Sequence, residues 1–163
     1  MAIELQAFIS VALYLKSRDL TAEGIAERLG LDPTRMQKKG EPPTVPIILQ
    51  EDGSPVDLRP PRSPFHYFVL EVERMVDKSS DDSAAKDLEA VLDELLAKVE
   101  PVSDRLAQLG NKVSANLICS CTHRNTIEWL RLSAHMLQRI VALNLPLMMC
   151  LVPLEKREKP PSS

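Results

Sequence analysis

Three groups of residues in this chain have the types and spacing that chemistry asks for. Cys119, Cys121 and His123 alternate, so on a strand they would share one face. Thiolate and imidazole are zinc ligands, and three of them would leave one coordination position open. The plainer reading is stronger. Val113, Ala115, Leu117, Cys119 and Cys121 make an apolar row, and Ser114, Asn116, Ser120 and Thr122 make the polar row opposite. In that pattern cysteine is a small core residue. No CxxC-type loop is present to wrap an ion, so the expectation is no metal and no cofactor.

The second group is catalytic in type. His66, His123 and His135 are scattered, and Glu71 and Glu73 share one row of a strand. Alternation of Glu and Arg with Val there reads as a solvent face. Neither GxSxG nor a phosphate-cradling GxGxxG or GxxxxGK(S/T) occurs, so an enzyme would be one of unassigned chemistry. The third group lies on polar turns: Thr34, Arg35, Lys38, Lys39 and Glu41, with Asp52 further on. Charge on loops is where partner contacts are usually carried. Arg35, Lys38 and Lys39 suit an anionic group or an acidic partner. The competing expectation is that this turn only packs on the sheet. Thr34 would then cap a short 34–38 turn, and Gly40 would supply an unusual backbone angle.

The elements that must position these residues follow from periodicity. Residues 7–17 read as a strand with Phe8, Ser10, Ala12 and Tyr14 on one side and Ile9, Val11, Leu13 and Leu15 on the other. Thr21 is an N-cap for a helix that buries Ile25, Ala26 and Leu29 and ends at Gly30. Residues 42–64 form a proline-rich flap with a hairpin, 45–50 against 55–59, turning at Asp52-Gly53. Residues 65–74 are a strand, with Phe65, Tyr67, Val69 and Glu71 on one side. The strongest helix spans about 84–99, with Leu88, Val91, Leu92, Leu95, Leu96 and Val99 in one stripe. Val102 to Leu109 continue as helix after Pro101. Strands follow at 112–122 and 126–132, paired as a hairpin that carries Trp129. A helix capped by Ser133 runs to about Leu143 and closes at Asn144. The last strand is Leu145 to Leu154, and 155–163 is a charged tail.

The order β-α-(flap)-β-α-β-β-α-β predicts one α+β domain over 1–154. Its mixed or antiparallel sheet has about five strands with three helices on one face, and is loosely ferredoxin-like. At 163 residues the chain can bury a core without staples. A net charge of −3 argues against a whole-surface nucleic-acid binder. Three cysteines do not make a disulfide framework. Neither a basic leader nor an apolar stretch of membrane-spanning length is visible, so the cytoplasm is the expected compartment and no membrane partner is expected.

Leu20 to Leu31 also looks like the first helix and turn of a helix-turn-helix. The module needs a groove-length second helix, which Gly40 and Pro42-Pro43 stop short. A DNA-binding regulator therefore stays only as the alternative to a protein-binding module.

Taken together, LGLDPT at 29–34, KKGE at 38–41 and DLEAVLDELLAKVEP at 87–101 resemble a bacterial family known as domain of unknown function 4279. The likeness covers roughly residues 6–153. Two departures stand out. The family's tryptophan before the long helix is replaced by Phe65, Tyr67 or Phe68, and the flap is long. The resemblance implies no catalytic residues. It implies a non-enzymatic binding module with a protein partner, of the kind found beside toxins as an immunity protein. An acidic domain of this sort would neutralise a basic toxin by electrostatic steering.

Overall fold

The computed structural model describes residues 8–41, 62–75, 81–123 and 131–153. The flap hairpin, Asp52, Trp129 and the tail lie outside these residues, as does most of the 126–132 strand. Residues 131 and 132, at the end of that run, are not in a strand.

β1 (Phe8–Ser17) sits at the centre of the sheet because both of its hydrogen-bonding edges have partners. It pairs antiparallel with β3 (His66–Met75) on one side and with β4 (Ser114–His123) on the other. β2 (Arg35–Gln37) adds antiparallel to β3, and β5 (Leu147–Pro153) adds parallel to β4. The sheet is mixed, in the order β2-β3-β1-β4-β5. Its first four strands form two interleaved split βαβ units, the ferredoxin-like arrangement, and a further helix and β5 extend that frame.

Register decides which side chains meet. Val11 lies between Val72 and Cys119, Leu13 between Leu70 and Leu117, and Leu15 between Phe68 and Ala115. Because side chains alternate, these all fall on one face. That face is covered by α1 (Ala22–Leu29), α2 (Asp81–Val99), α3 (Ser103–Leu109) and α4 (Ala134–Ala142). A single 3-10 turn containing Pro101 joins α2 to α3, so three helical segments cover the sheet and the middle one is longest. The α2 stripe Leu88, Val91, Leu92, Leu95, Leu96 and Val99 is fully buried against β1 and β3. Cys119 and Cys121 belong to this core, in the same row as Leu117.

The helix ends are fixed by side chains of the expected kinds. Thr21 Oγ1 accepts from the Gly24 N–H, and Gly30 leaves α1 in the left-handed region at φ 68°. Ser133 Oγ accepts from the Met136 N–H, and Asn144 turns out of α4 at φ 52°. Arg139 ties α4 back to α2. Its guanidinium donates to both carboxylate oxygens of Glu100, at 2.6 and 3.0 Å, and to Asp93 at 2.5 Å. Arg139 holds the Glu100 carboxyl below the usual carboxylate range, and Glu100 with Asp93 raises the guanidinium in turn.

A candidate partner-binding surface

With the helices on one face, the other face of β1, β2 and β3 carries Ser10, Tyr14, Lys16, Arg35, Gln37, Tyr67 and Glu71. The sequence places Arg35 in a turn after Pro33. The structure instead draws residues 35–37 into the edge of the sheet, and Thr34 is the reason. Its N–H and its hydroxyl both donate to the Val69 carbonyl, at 2.8 and 2.9 Å, and its oxygen accepts from the Glu71 N–H at 3.0 Å. Thr34 thus caps no turn. It starts β2 by extending the β3 ladder one step beyond the last paired residue.

That pairing aims Arg35 along the open face. Its Nη2 lies 2.7 Å from Glu71 Oε2, while Ser10 Oγ donates to Glu71 Oε1 at 2.5 Å. The Glu71 side chain is 13% exposed and that of Arg35 is 65% exposed. Glu71 is therefore not a solvent-facing carboxylate as its alternation suggests. It is a fixed anchor that holds a largely exposed guanidinium.

Beside this pair runs a row of rings. Tyr14 and Tyr67 have centroids 5.4 Å apart and tilted, and Phe65 meets Tyr67 edge-on at 6.2 Å. Lys16 Nζ and the Arg18 guanidinium lie 5.1 and 5.3 Å from the Phe65 centroid, within cation–π range. Burial raises the Tyr14 phenol above its ordinary value and the neighbouring Tyr67 adds to this, while Arg35 opposes it.

The basic turn completes the surface. Glu41 N–H donates back to the Lys38 carbonyl, and Gly40 takes the positive φ of 87° that this tight turn needs. Glu41 also accepts from the Lys38 N–H through Oε2. Ser63 straps the turn down: its carbonyl accepts from Gly40, its N–H donates to Glu41, and its hydroxyl bridges to the backbone of Phe65. Lys38 Nζ lies 3.4 Å from Glu23, whose carboxyl is lowered first by a backbone N–H and then by that lysine. Lys39 donates its N–H to His66 Nδ1 and its ammonium to the Arg18 carbonyl. Ser17 fixes the chain as it leaves β1, donating to the Lys112 carbonyl and accepting from the Asp19 and Leu20 N–H groups.

Of the predicted contact residues, Arg35, Lys38, Lys39 and Glu41 come together at one end of the sheet. Thr34 adjoins them with its polar atoms engaged by β3. Sequence reasoning missed Lys16, Arg18, Phe65 and Tyr67 as part of this surface. Tyr14 was visible on its row and Tyr67 on another, but only the antiparallel register brings the rows side by side. Ser63 carried no signal. Residues 31–41 contain no helix, so the rod a helix-turn-helix would place in a groove is not formed there. At the other end of β1 and β3 a shallow cavity of about 350 Å³ is lined by Phe8, Glu73, Arg74 and Met75, away from the predicted contact residues.

The ferredoxin-like frame, with helices on one face of a mixed five-stranded sheet, defines the fold class as α+β. The family model for the domain of unknown function DUF4279 matches residues 6–152, and the chain belongs to that family. No curated protein and no solved structure matches the chain significantly. Among the described residues, no helix is long and apolar enough to cross a membrane.

Proposed function

We propose that this protein is a non-enzymatic binding module whose partner is another protein, engaged through the end of the sheet that bears Arg35, Lys38 and Lys39. The observation that carries the reading is the Ser10–Glu71–Arg35 arrangement. A guanidinium that is two-thirds exposed is held by a carboxylate that is itself tied to the central strand. Such a cation is pre-organised, so a partner carboxylate meets it without first ordering it. Lys16 and Arg18, which make no ion pair among the described residues, extend the positive edge around the Phe65 ring. Rings flanked by cations are the composition that carries energy at protein interfaces.

The finer reading is an immunity protein that neutralises a toxin encoded beside it. The surface favours a toxin that presents an acidic patch to this edge, with the chain's net charge of −3 steering any basic remainder. The test is co-expression with the product of an adjacent toxin-like gene. Rescue of growth and a complex that survives size exclusion are expected. Arg35→Glu combined with Lys39→Glu is expected to weaken that complex at least tenfold. A soluble, folded protein that neither rescues nor binds any such neighbour would refute the reading.

A further inference from the structure

We infer that the chain self-associates through the outer edge of β5, which is unpaired among the described residues, with two copies joined about a two-fold axis into one ten-stranded sheet. The edge is defined by the ladder. The Leu117 N–H donates to the Pro146 carbonyl at 2.9 Å, and Leu117 pairs in parallel with Leu147. In a parallel ladder this turns the N–H and C=O groups of Met148, Cys150 and Val152 toward β4. Those of Leu147, Met149 and Leu151 point outward, unpaired among the described residues.

Strands left at an edge normally carry charge or proline to discourage pairing. From Leu147 to Val152 there is no charge, and Pro153 closes the run. Met148, Met149 and Leu151 are 51%, 36% and 49% exposed. An antiparallel copy centred on Met149 uses all three outward residues, giving six backbone hydrogen bonds. It sets Leu147 against the other copy's Leu151, and Met148 against its Cys150. Every facing pair is apolar, so the edge is complementary to itself.

A second layer agrees. On α4, Met136 and Ile140 point into the core, and Arg139 reaches α2 on one flank. At 100° per residue, Leu137 and Val141 fall on the opposite flank, away from α2 and toward the β5 side. Both are exposed, Val141 by 75%. The same two-fold that joins the strands brings these flanks together. Helix flank meets helix flank and strand meets strand, which is the behaviour of a second copy. Five partly exposed side chains fall short of the roughly 800 Å² per partner of a standard interface, so the association is weak and concentration-dependent.

The test is sedimentation velocity of the whole chain from about 5 to 500 μM, a range that spans micromolar affinities. A rise in mass toward twice the monomer is expected. Val141→Arg and Met149→Pro should each leave a monomer with unchanged circular dichroism, since the Met149 N–H points away from β4. Met149→Cys should give an intermolecular disulfide under mild oxidation. A wild-type chain that stays monomeric at the highest concentration overturns the inference, as does a dimer indifferent to both substitutions.

Discussion

Arg35 and Glu71 meet on a diagonal: Arg35 is paired in register with Val69, and Glu71 lies two residues further along the same strand face. This contact ties the short edge strand to the centre of the sheet, because Glu71 also accepts from Ser10 on β1. Removing either partner should therefore not cost the same. Glu71→Ala severs both links and should lower stability by about 1–3 kcal/mol, the range for a hydrogen-bonded charged group that is largely buried. Arg35→Ala should cost about 1 kcal/mol or less, since the guanidinium is exposed and water screens it. Urea denaturation of both single variants and the double variant checks this. Equal costs would mean that Ser10 contributes nothing.

Thr34 gives a sharper comparison. Thr34→Val keeps the shape and removes a hydroxyl that both donates to Val69 and accepts from Glu71. Two bonds at a partly solvated edge should be worth about 1–2 kcal/mol together. Thr34→Ser should restore most of it. Thr34→Val should also speed amide exchange at Glu71, whose N–H loses its acceptor, and leave exchange in α2 unchanged.

These two cases show what a one-dimensional reading reaches. Thr21, Gly30, Ser133 and Asn144 were legible because a helix end is a local event, settled by a hydroxyl or a positive φ within a few residues. The α2 stripe and the two rows of β1 were legible because burial on one face forces periodicity. The three residues of β2 were not. A strand that short has no period, and its formation rests on Val69 and Glu71, more than thirty residues away. Glu71 was misread for the same reason. Alternation with Val marks a face, yet whether that face meets water depends on Ser10 and Arg35, brought there by register. The candidate surface was half visible: its cations stood in one turn, while its rings came from two strands that only pairing unites.

Arg139 and Glu100 make stability depend on acid. The folded carboxyl titrates below its ordinary value of 4.5 because the guanidinium favours its charged form. A lowered folded pKa contributes stability above the unfolded value, and that contribution disappears as the pH falls through the folded one. Arg139→Gln should therefore cost about 1 kcal/mol at pH 7, discounted for the partial exposure of Glu100, and less at pH 2. Thermal melts of wild type and variant at the two pH values give the comparison. A gap that persists undiminished in acid would assign the effect to the packing of the arginine stem.

The cysteines divide by face. Cys119 and Cys121 lie in the helix-covered core, while Cys150 pairs with Ser120 on the other side and is partly exposed. Burial pushes the Cys119 thiol up to about 12 and raises Cys121 as well. Since the thiolate is the nucleophile, both should be inert in the folded state. Iodoacetamide at pH 8 should label Cys150 alone in the native protein, read by intact mass, with the other two appearing only as urea opens the core. Cys119→Ala should cost about 1 kcal/mol through lost packing, and Cys119→Ser more, because a hydroxyl would enter an apolar site. Early labelling of Cys119 would mean that the sheet opens between β1 and β4 well before the domain unfolds.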